Sequence, residues 1–138
     1  MTCYSLVEIG QGLYVPEREW TDTRLKTLRD LCNKAIVYMN DVYSFEKELH
    51  DRNGCIEDLV TNVVAYYVVR EDMPISEAME KMIDISRHIE RQFKVISDDV
   101  LNDNMICQDT KVFVRGIEAM ISANITVSLE LRCYNEIY

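Results

Sequence analysis

Apolar residues recur at helical spacing along most of this chain, interrupted by short polar breaks. Over residues 23–49, Leu25, Leu28, Leu31, Cys32, Ala35, Ile36 and Met39 follow the i, i+3, i+4, i+7 template of an amphipathic helix. Asp51-Arg52-Asn53-Gly54 reads as a turn or C-cap that stops it, with Gly54 the natural breaker. Residues 57–71 predict a second helix on Leu59, Val63, Val64, Tyr67 and Val68, although the β-branched Val60, Thr61, Val63 and Val64 also suit a strand. No other strand signal accompanies them, so helix is preferred. Met73-Pro74 breaks the chain, and Ser76 is the expected N-cap of a third helix, with Glu77 and Glu80 near its positive end. That helix runs to about residue 101 with Ala78, Met82, Ile85, Ile89, Phe93 and Ile96 on one stripe. After a polar connection at 102–109, a fourth helix over residues 110–125 or beyond carries Val112, Phe113, Gly116, Ala119, Met120 and Ala123, small residues that permit close packing. At the other end, Leu6, Val7 and Ile9 around Glu8 read as the end of a helix already under way, its N-terminal partner outside the chain, with Gly10 and Gly12 ending it. Residues 12–22, with Gly12 and Pro16, read as a loop. The expected fold is all-α: four helices and an N-terminal helical stub, a bundle fragment.

Composition fits this pattern. A chain of 138 residues is one domain, and 48% hydrophobic residues with only 4 Gly and 2 Pro suit a helical globular protein. The balance of 15 basic against 24 acidic residues, net −9, argues against a nucleic-acid partner. No apolar run approaches the ~20 residues of a membrane span, and Met1-Thr2-Cys3-Tyr4 lacks a signal-peptide pattern. The five cysteines (Cys3, Cys32, Cys55, Cys107 and Cys133) have no close pairing, so reduced thiols and a cytoplasmic setting are expected.

The candidate chemistry sits late in the first long helical pattern, at Asn40-Asp41-Val42-Tyr43-Ser44-Phe45-Glu46-Lys47-Glu48. At ~100° per residue, positions 40, 44 and 48 share an arc of roughly 80°, and Lys47 returns almost to the azimuth of Asn40. An amide, a hydroxyl, a carboxylate and an ammonium then lie along one stripe. Mg²⁺ prefers oxygen ligands, keeps several waters and lets substrate phosphates complete its shell, so one carboxylate with two neutral oxygens would hold it loosely until a diphosphate arrives. Lys47 would add a point charge for the same diphosphate. A polar stripe of this spacing also suits a plain solvated face, although Asn and Ser are poor choices for an exposed helix interior.

The nine residues resemble the N-D-x-x-S-x-x-K-E metal-binding motif of class I terpene synthases of the microbial type. The flanks are similar too: Leu6-Val7-Glu8 before a Gly- and Pro-bearing loop, Asp58-Leu59-Val60-Thr61-Asn62-Val63-Val64, and Pro74-Ile75-Ser76-Glu77-Ala78 before the next long helix. The resemblance covers nearly the whole chain but only the C-terminal half of a family member, and implies that residues 1–138 are the C-terminal portion of a terpene synthase α-domain. It implies that Asn40, Ser44 and Glu48 chelate one of three Mg²⁺ ions (Mn²⁺ serving as a substitute) and that Lys47 contacts diphosphate. The whole enzyme would ionise and cyclise a prenyl diphosphate, farnesyl or geranyl diphosphate, with loss of diphosphate. Tyr43, Tyr66 and Tyr67 are candidate aromatic faces for the resulting cation, with core packing the plainer role for each.

The sequence departs from the family pattern in three places. The aspartate-rich motif that binds the other two metals has no match; Asp98-Asp99 comes too late and reads as a solvated helix end. The diphosphate-sensing arginine belongs upstream of residue 1. Near the C-terminus, Val127 stands in a Trp position and Cys133 where an Arg precedes a Tyr, with Arg132 one residue early and Tyr134 in place; Arg132 and Tyr134 are the further diphosphate-binding candidates. The 138 residues alone are therefore expected to be inactive. The alternative is a non-catalytic truncated homologue, a helical interaction module whose exposed apolar face takes a helical partner or a second copy.

Overall fold

The computed structural model describes the backbone of residues 3–135 and the side chains of residues 7–127 and of Glu130. It contains α1 (Cys3–Gln11), α2 (Glu17–Trp20), α3 (Thr23–Asp51), a 3₁₀ turn (Ile56–Asp58), α4 (Val63–Arg70), α5 (Ile75–Asn102) and α6 (Gln108–Asn135), with no strand among the described residues. The fold is all-α, and the expected stub and four helices are α1, α3, α4, α5 and α6.

The boundaries follow local chemistry, and several differ from the periodicity. Gly10 stays inside α1, and the stop falls at Gly12, whose φ of +62° is a left-handed conformation that costs glycine little. Gly12 N–H donates to the Ile9 carbonyl and Leu13 N–H to the Glu8 carbonyl, the paired bonds of a Schellman cap. α3 ends the same way. Asn53 N–H bonds to the His50 carbonyl and Gly54 N–H to the Leu49 carbonyl, with Asn53 at φ +53° and Gly54 at φ +78°. Asn53 therefore shares with Gly54 the role expected of Gly54 alone. In the segment expected to be a loop, Pro16 precedes the single turn α2; its fixed φ suits a helix start and its carbonyl accepts from Glu19 and Trp20. α5 begins at Ile75, with the Pro74 carbonyl accepting from Ala78 N–H, so Ser76 lies within the first turn rather than capping it.

The chain divides into two compact units, Met1–Ala35 with Ile89–Ala123 and Ile36–His88 with Asn124–Tyr138. In the first, Leu25, Leu28, Leu31, Cys32 and Ala35 of α3 are buried, as are Phe93 and Val100 of α5 and Phe113, Val114, Ile117 and Ile121 of α6. Arg24 at the start of α3 reaches Asp22 at 2.9 Å, Asp99 at 3.0 Å and Asp103 at 2.9 Å, fastening α3 to the end of α5. The Trp20 ring packs on Phe113 with centroids 5.5 Å apart, and the Arg29 guanidinium stacks over the same Trp20 ring, 3.9 Å from its centroid. Gly116 is where small size matters, because a Cβ there would meet Val7 Cγ1 at 2.5 Å. Ala119 and Ala123, also expected to serve close packing, are exposed.

The second unit has its own core. Val42 and Phe45 of α3 pack with Leu59, with Val64 and Ala65 of α4, and with Ala78, Met79, Met82 and Ile83 of α5. Tyr38, Leu49, Tyr67 and Val68 border this cluster. Burying Phe45 and Met82 to about 1% exposure contributes roughly 1.5–3 kcal/mol each. This core carries the candidate site.

Candidate metal centre

α3 runs unbroken through residues 40–48, so the predicted stripe exists as a helical face. What fixes its direction is the opposite side of the same two turns. Val42 and Phe45 are 4% and 1% exposed within the second unit's core, and they turn Asn40, Ser44 and Glu48 outward from it. Asn40 and Lys47 are exposed, while Ser44 and Glu48 are half-buried.

The half-buried pair is organised. Ser44 Oγ donates to Glu48 Oε1 one helical turn on. Glu48 Oε2 accepts from Asn62 Nδ2 at 3.2 Å. Asn62 precedes α4 with extended backbone (φ −89°, ψ 124°) and caps it, its Oδ1 accepting from Val64 N–H at 2.9 Å and Ala65 N–H at 3.5 Å. The same amide nitrogen donates to the Asp41 carbonyl at 3.0 Å.

Asp41 has a different task from its neighbour Asn40. It is buried, and its Oδ2 accepts from Val63 N–H at 2.9 Å, adding a carboxylate to the positive end of α4. Burial pushes its carboxyl above the ordinary aspartate range, the Val63 hydrogen bond opposes this, and the nearby Glu48 charge adds to it. With Asp41 buried and bonded to Val63 while Asn40 is exposed, the adjacent Asn and Asp of the motif split into one outward oxygen and one anchor.

The donor set fits a hard divalent cation. It is all oxygen: an exposed amide at Asn40 with no hydrogen bond to a described residue, a hydroxyl at Ser44 with its lone pairs unspent, and a carboxylate at Glu48 fixed from both oxygens. Among the described residues, no group of three or more His, Cys, Asp or Glu is placed to hold a metal. With Glu48 as its one charged donor, the set of Asn40, Ser44 and Glu48 offers few charges and neither thiolate nor imidazole.

The other candidates divide. Arg132 and Tyr134 have side chains outside the described residues. Asp98 pairs with Lys94 at 3.1 Å and Asp99 with Arg24, as a solvated helix end does. Tyr43 and Tyr66 are 45% and 53% exposed, so core packing is overturned for both: each falls on the outward side of its helix. Tyr67 borders the core, its face covered by the Lys81 ammonium at 4.3 Å. Cys32, Cys55 and Cys107 form no disulfide. No helix of the described residues is long and apolar enough to cross a membrane.

Asn62 and Asp41 are the residues the periodicity missed. The signal for Asn62 was present, an N-cap residue directly before a Val-Val run, but the helix was expected to begin at residue 57, six residues before Val63.

A family model described as terpene synthase family 2, C-terminal metal binding, matches residues 1–92, which include the stripe and Asn62. The chain is 28% identical to a bifunctional type I diterpene synthase of Aspergillus flavipes, over 98% of this chain and 17% of that protein. It is 22% identical to a 4-epi-cubebol synthase, (2E,6E)-farnesyl diphosphate cyclizing, of Streptosporangium roseum, over 99% of this chain and 39% of that protein. It is 25% identical to the fusicoccadiene synthase of Phomopsis amygdali, over 98% and 18%. The chain thus spans well under half the length of these relatives. No solved structure matches it. With two-thirds of its length matched by that model and these synthases alike along nearly all of it, the chain belongs to the terpene synthase family.

Proposed function

We propose that Asn40, Ser44 and Glu48 hold one Mg²⁺ ion of a terpene synthase, that Lys47 meets the diphosphate of a prenyl substrate beside it, and that residues 1–138 are the C-terminal portion of the synthase's α-domain. The carrying observation is the Glu48 carboxylate, gripped by Ser44 and Asn62 in register with Asn40. Magnesium, when bound, supplies Lewis-acid polarisation and neutralises charge on the leaving diphosphate. Around it, Asn40 and Ser44 contribute neutral oxygens, so the site's only full negative charge is Glu48 and an anionic substrate is not repelled. Lys47, exposed and almost in line with Asn40, offers an ammonium to the same anion. Arg132 and Tyr134 are assigned to the diphosphate on their sequence positions alone.

The reaction this serves is heterolysis of the allylic C–O bond of farnesyl or geranyl diphosphate. The electron pair leaves with diphosphate, and the prenyl cation closes to a terpene. The relatives' names, among them a farnesyl diphosphate cyclizing enzyme, support this substrate class. These 138 residues hold the second metal motif and no aspartate-rich one, so they bind metal and diphosphate without turnover. The test is calorimetric titration of Mg²⁺ with inorganic diphosphate present. Binding is expected for the wild-type chain and at least tenfold weaker binding for Asn40→Ala and Glu48→Ala; equal binding by all three sinks the assignment.

A second reading has one observation behind it. Val60, Tyr66 and Val69 are 85%, 53% and 44% exposed beside Ile56 and Leu59, an apolar face on the second unit. A non-catalytic helical module would use such a face for association. Sedimentation separates the two: a stable dimer or a partner complex, with no Mg²⁺ binding, favours the module.

A further inference from the structure

Asn62 stands outside the motif, 14 residues beyond Glu48, and is 2% exposed. Its carboxamide uses its whole bonding capacity. Both Nδ2 protons are donated, one to the Asp41 carbonyl at 3.0 Å and one to Glu48 Oε2 at 3.2 Å, and both Oδ1 lone pairs accept, from Val64 and Ala65 N–H. The reversed amide orientation would set an NH₂ group against two backbone N–H donors, so the bonding fixes which end faces Glu48.

A helix cap asks for less. Ser, Asp and Asn cap about equally well, because only the acceptor oxygen is used. The amide donors at this position serve the other side, the carboxylate of Glu48 and the backbone of Asp41. Ser44 holds Oε1 and Asn62 holds Oε2, so the carboxylate plane is set before any cation arrives. A carboxylate ligand held this way need not be ordered on binding, and outer partners of metal ligands typically carry 10- to 100-fold of metal affinity.

Resting on the reading of Asn40, Ser44 and Glu48 as metal ligands, we infer that Asn62 is a positioning residue of the metal centre: its side-chain amide orients Glu48 and ties that orientation to the start of α4. Asn62 touches neither metal nor substrate in this role.

The test uses the full chain with Mn²⁺ as the probe, titrated by electron paramagnetic resonance in saturating inorganic diphosphate, with thermal midpoints measured alongside. Asn62→Ser keeps a capping oxygen but is too short to reach Glu48; Asn62→Ala loses both functions. Positioning predicts that Asn62→Ser has a thermal midpoint closer to wild type than Asn62→Ala, yet binds Mn²⁺ about tenfold or more weakly. Wild-type Mn²⁺ affinity in Asn62→Ser, with Glu48→Gln impaired, overturns the inference and leaves the metal site standing. Unimpaired Glu48→Gln overturns both. Should Asn62→Ser not fold, the wild-type chain decides the matter by nuclear magnetic resonance. Mg²⁺ with diphosphate is expected to shift the Asn62 Nδ2 proton facing Glu48, and an unmoved resonance overturns the inference.

Discussion

At Gly116 one methyl group is enough to test the packing of the first unit. A Cβ there would stand 2.5 Å from Val7 Cγ1, and Val7 is β-branched, with little rotamer freedom to retreat. Gly116→Ala is therefore expected to destabilise the chain by about 1–3 kcal/mol in urea unfolding despite its better helix propensity. Gly10 is the control: it lies inside α1 with nothing within 4 Å of its missing Cβ, so Gly10→Ala should stabilise by roughly 0.5–1 kcal/mol. The two substitutions are chemically identical and should differ in sign. Phe45 is the residue on which the stripe depends, since its burial turns Ser44 outward. Truncating it to Ala is expected to cost about 3–5 kcal/mol and to weaken Mg²⁺ binding even where the chain stays folded, as a combined unfolding and metal titration would register.

Among the elements, α6 carries the clearest dependence on pH. Glu19, 3% exposed, caps its start from α2: the carboxylate accepts from Cys107 N–H at 3.2 and 3.3 Å and from Thr110 Oγ1. Burial pushes this carboxyl up, but the bonds from Thr110 and Cys107, with the Arg18 charge, outweigh it and hold it below the ordinary glutamate value. The Asp22 carboxyl is lowered chiefly by Arg24, and that of Asp103 by the Met105 N–H and then Arg24. A depressed folded value means that the stability is present above the unfolded value and is lost as pH falls through the folded one. Unfolding midpoints should therefore drop from about pH 5 toward pH 3, and Glu19→Gln should flatten that slope while lowering stability at neutral pH by roughly 1.5–3 kcal/mol. Helix order was legible in the sequence because α3, α5 and α6 each bury a stripe at period 3.6. α4 was placed too early, because the apolar Leu59 and Val60 continue the Val63-Val64 pattern and hide the cap at Asn62. α2 was invisible because four residues hold no period.

For the whole molecule, the stripe of Asn40, Ser44 and Glu48 could be read from spacing alone, since i, i+4 and i+8 share a face on any helix that persists. The support behind it could not. Asp41 meets Val63 across 22 positions and Asn62 meets Glu48 across 14, contacts that only the return of the chain through the 3₁₀ turn creates. On the proposed function, the net charge of −9 makes the neutral oxygens of Asn40 and Ser44 and the ammonium of Lys47 consequential, because an anionic substrate approaching an acidic protein would need a locally permissive surface. The most direct measurement is an anomalous difference map from crystals of the chain grown with Mn²⁺ and inorganic diphosphate. The account predicts a Mn²⁺ peak about 2.0–2.2 Å from the oxygens of Asn40, Ser44 and Glu48, with the Asn62 amide still on Glu48. A peak on other residues, or an ordered diphosphate at residues 40–48 without metal, would contradict it.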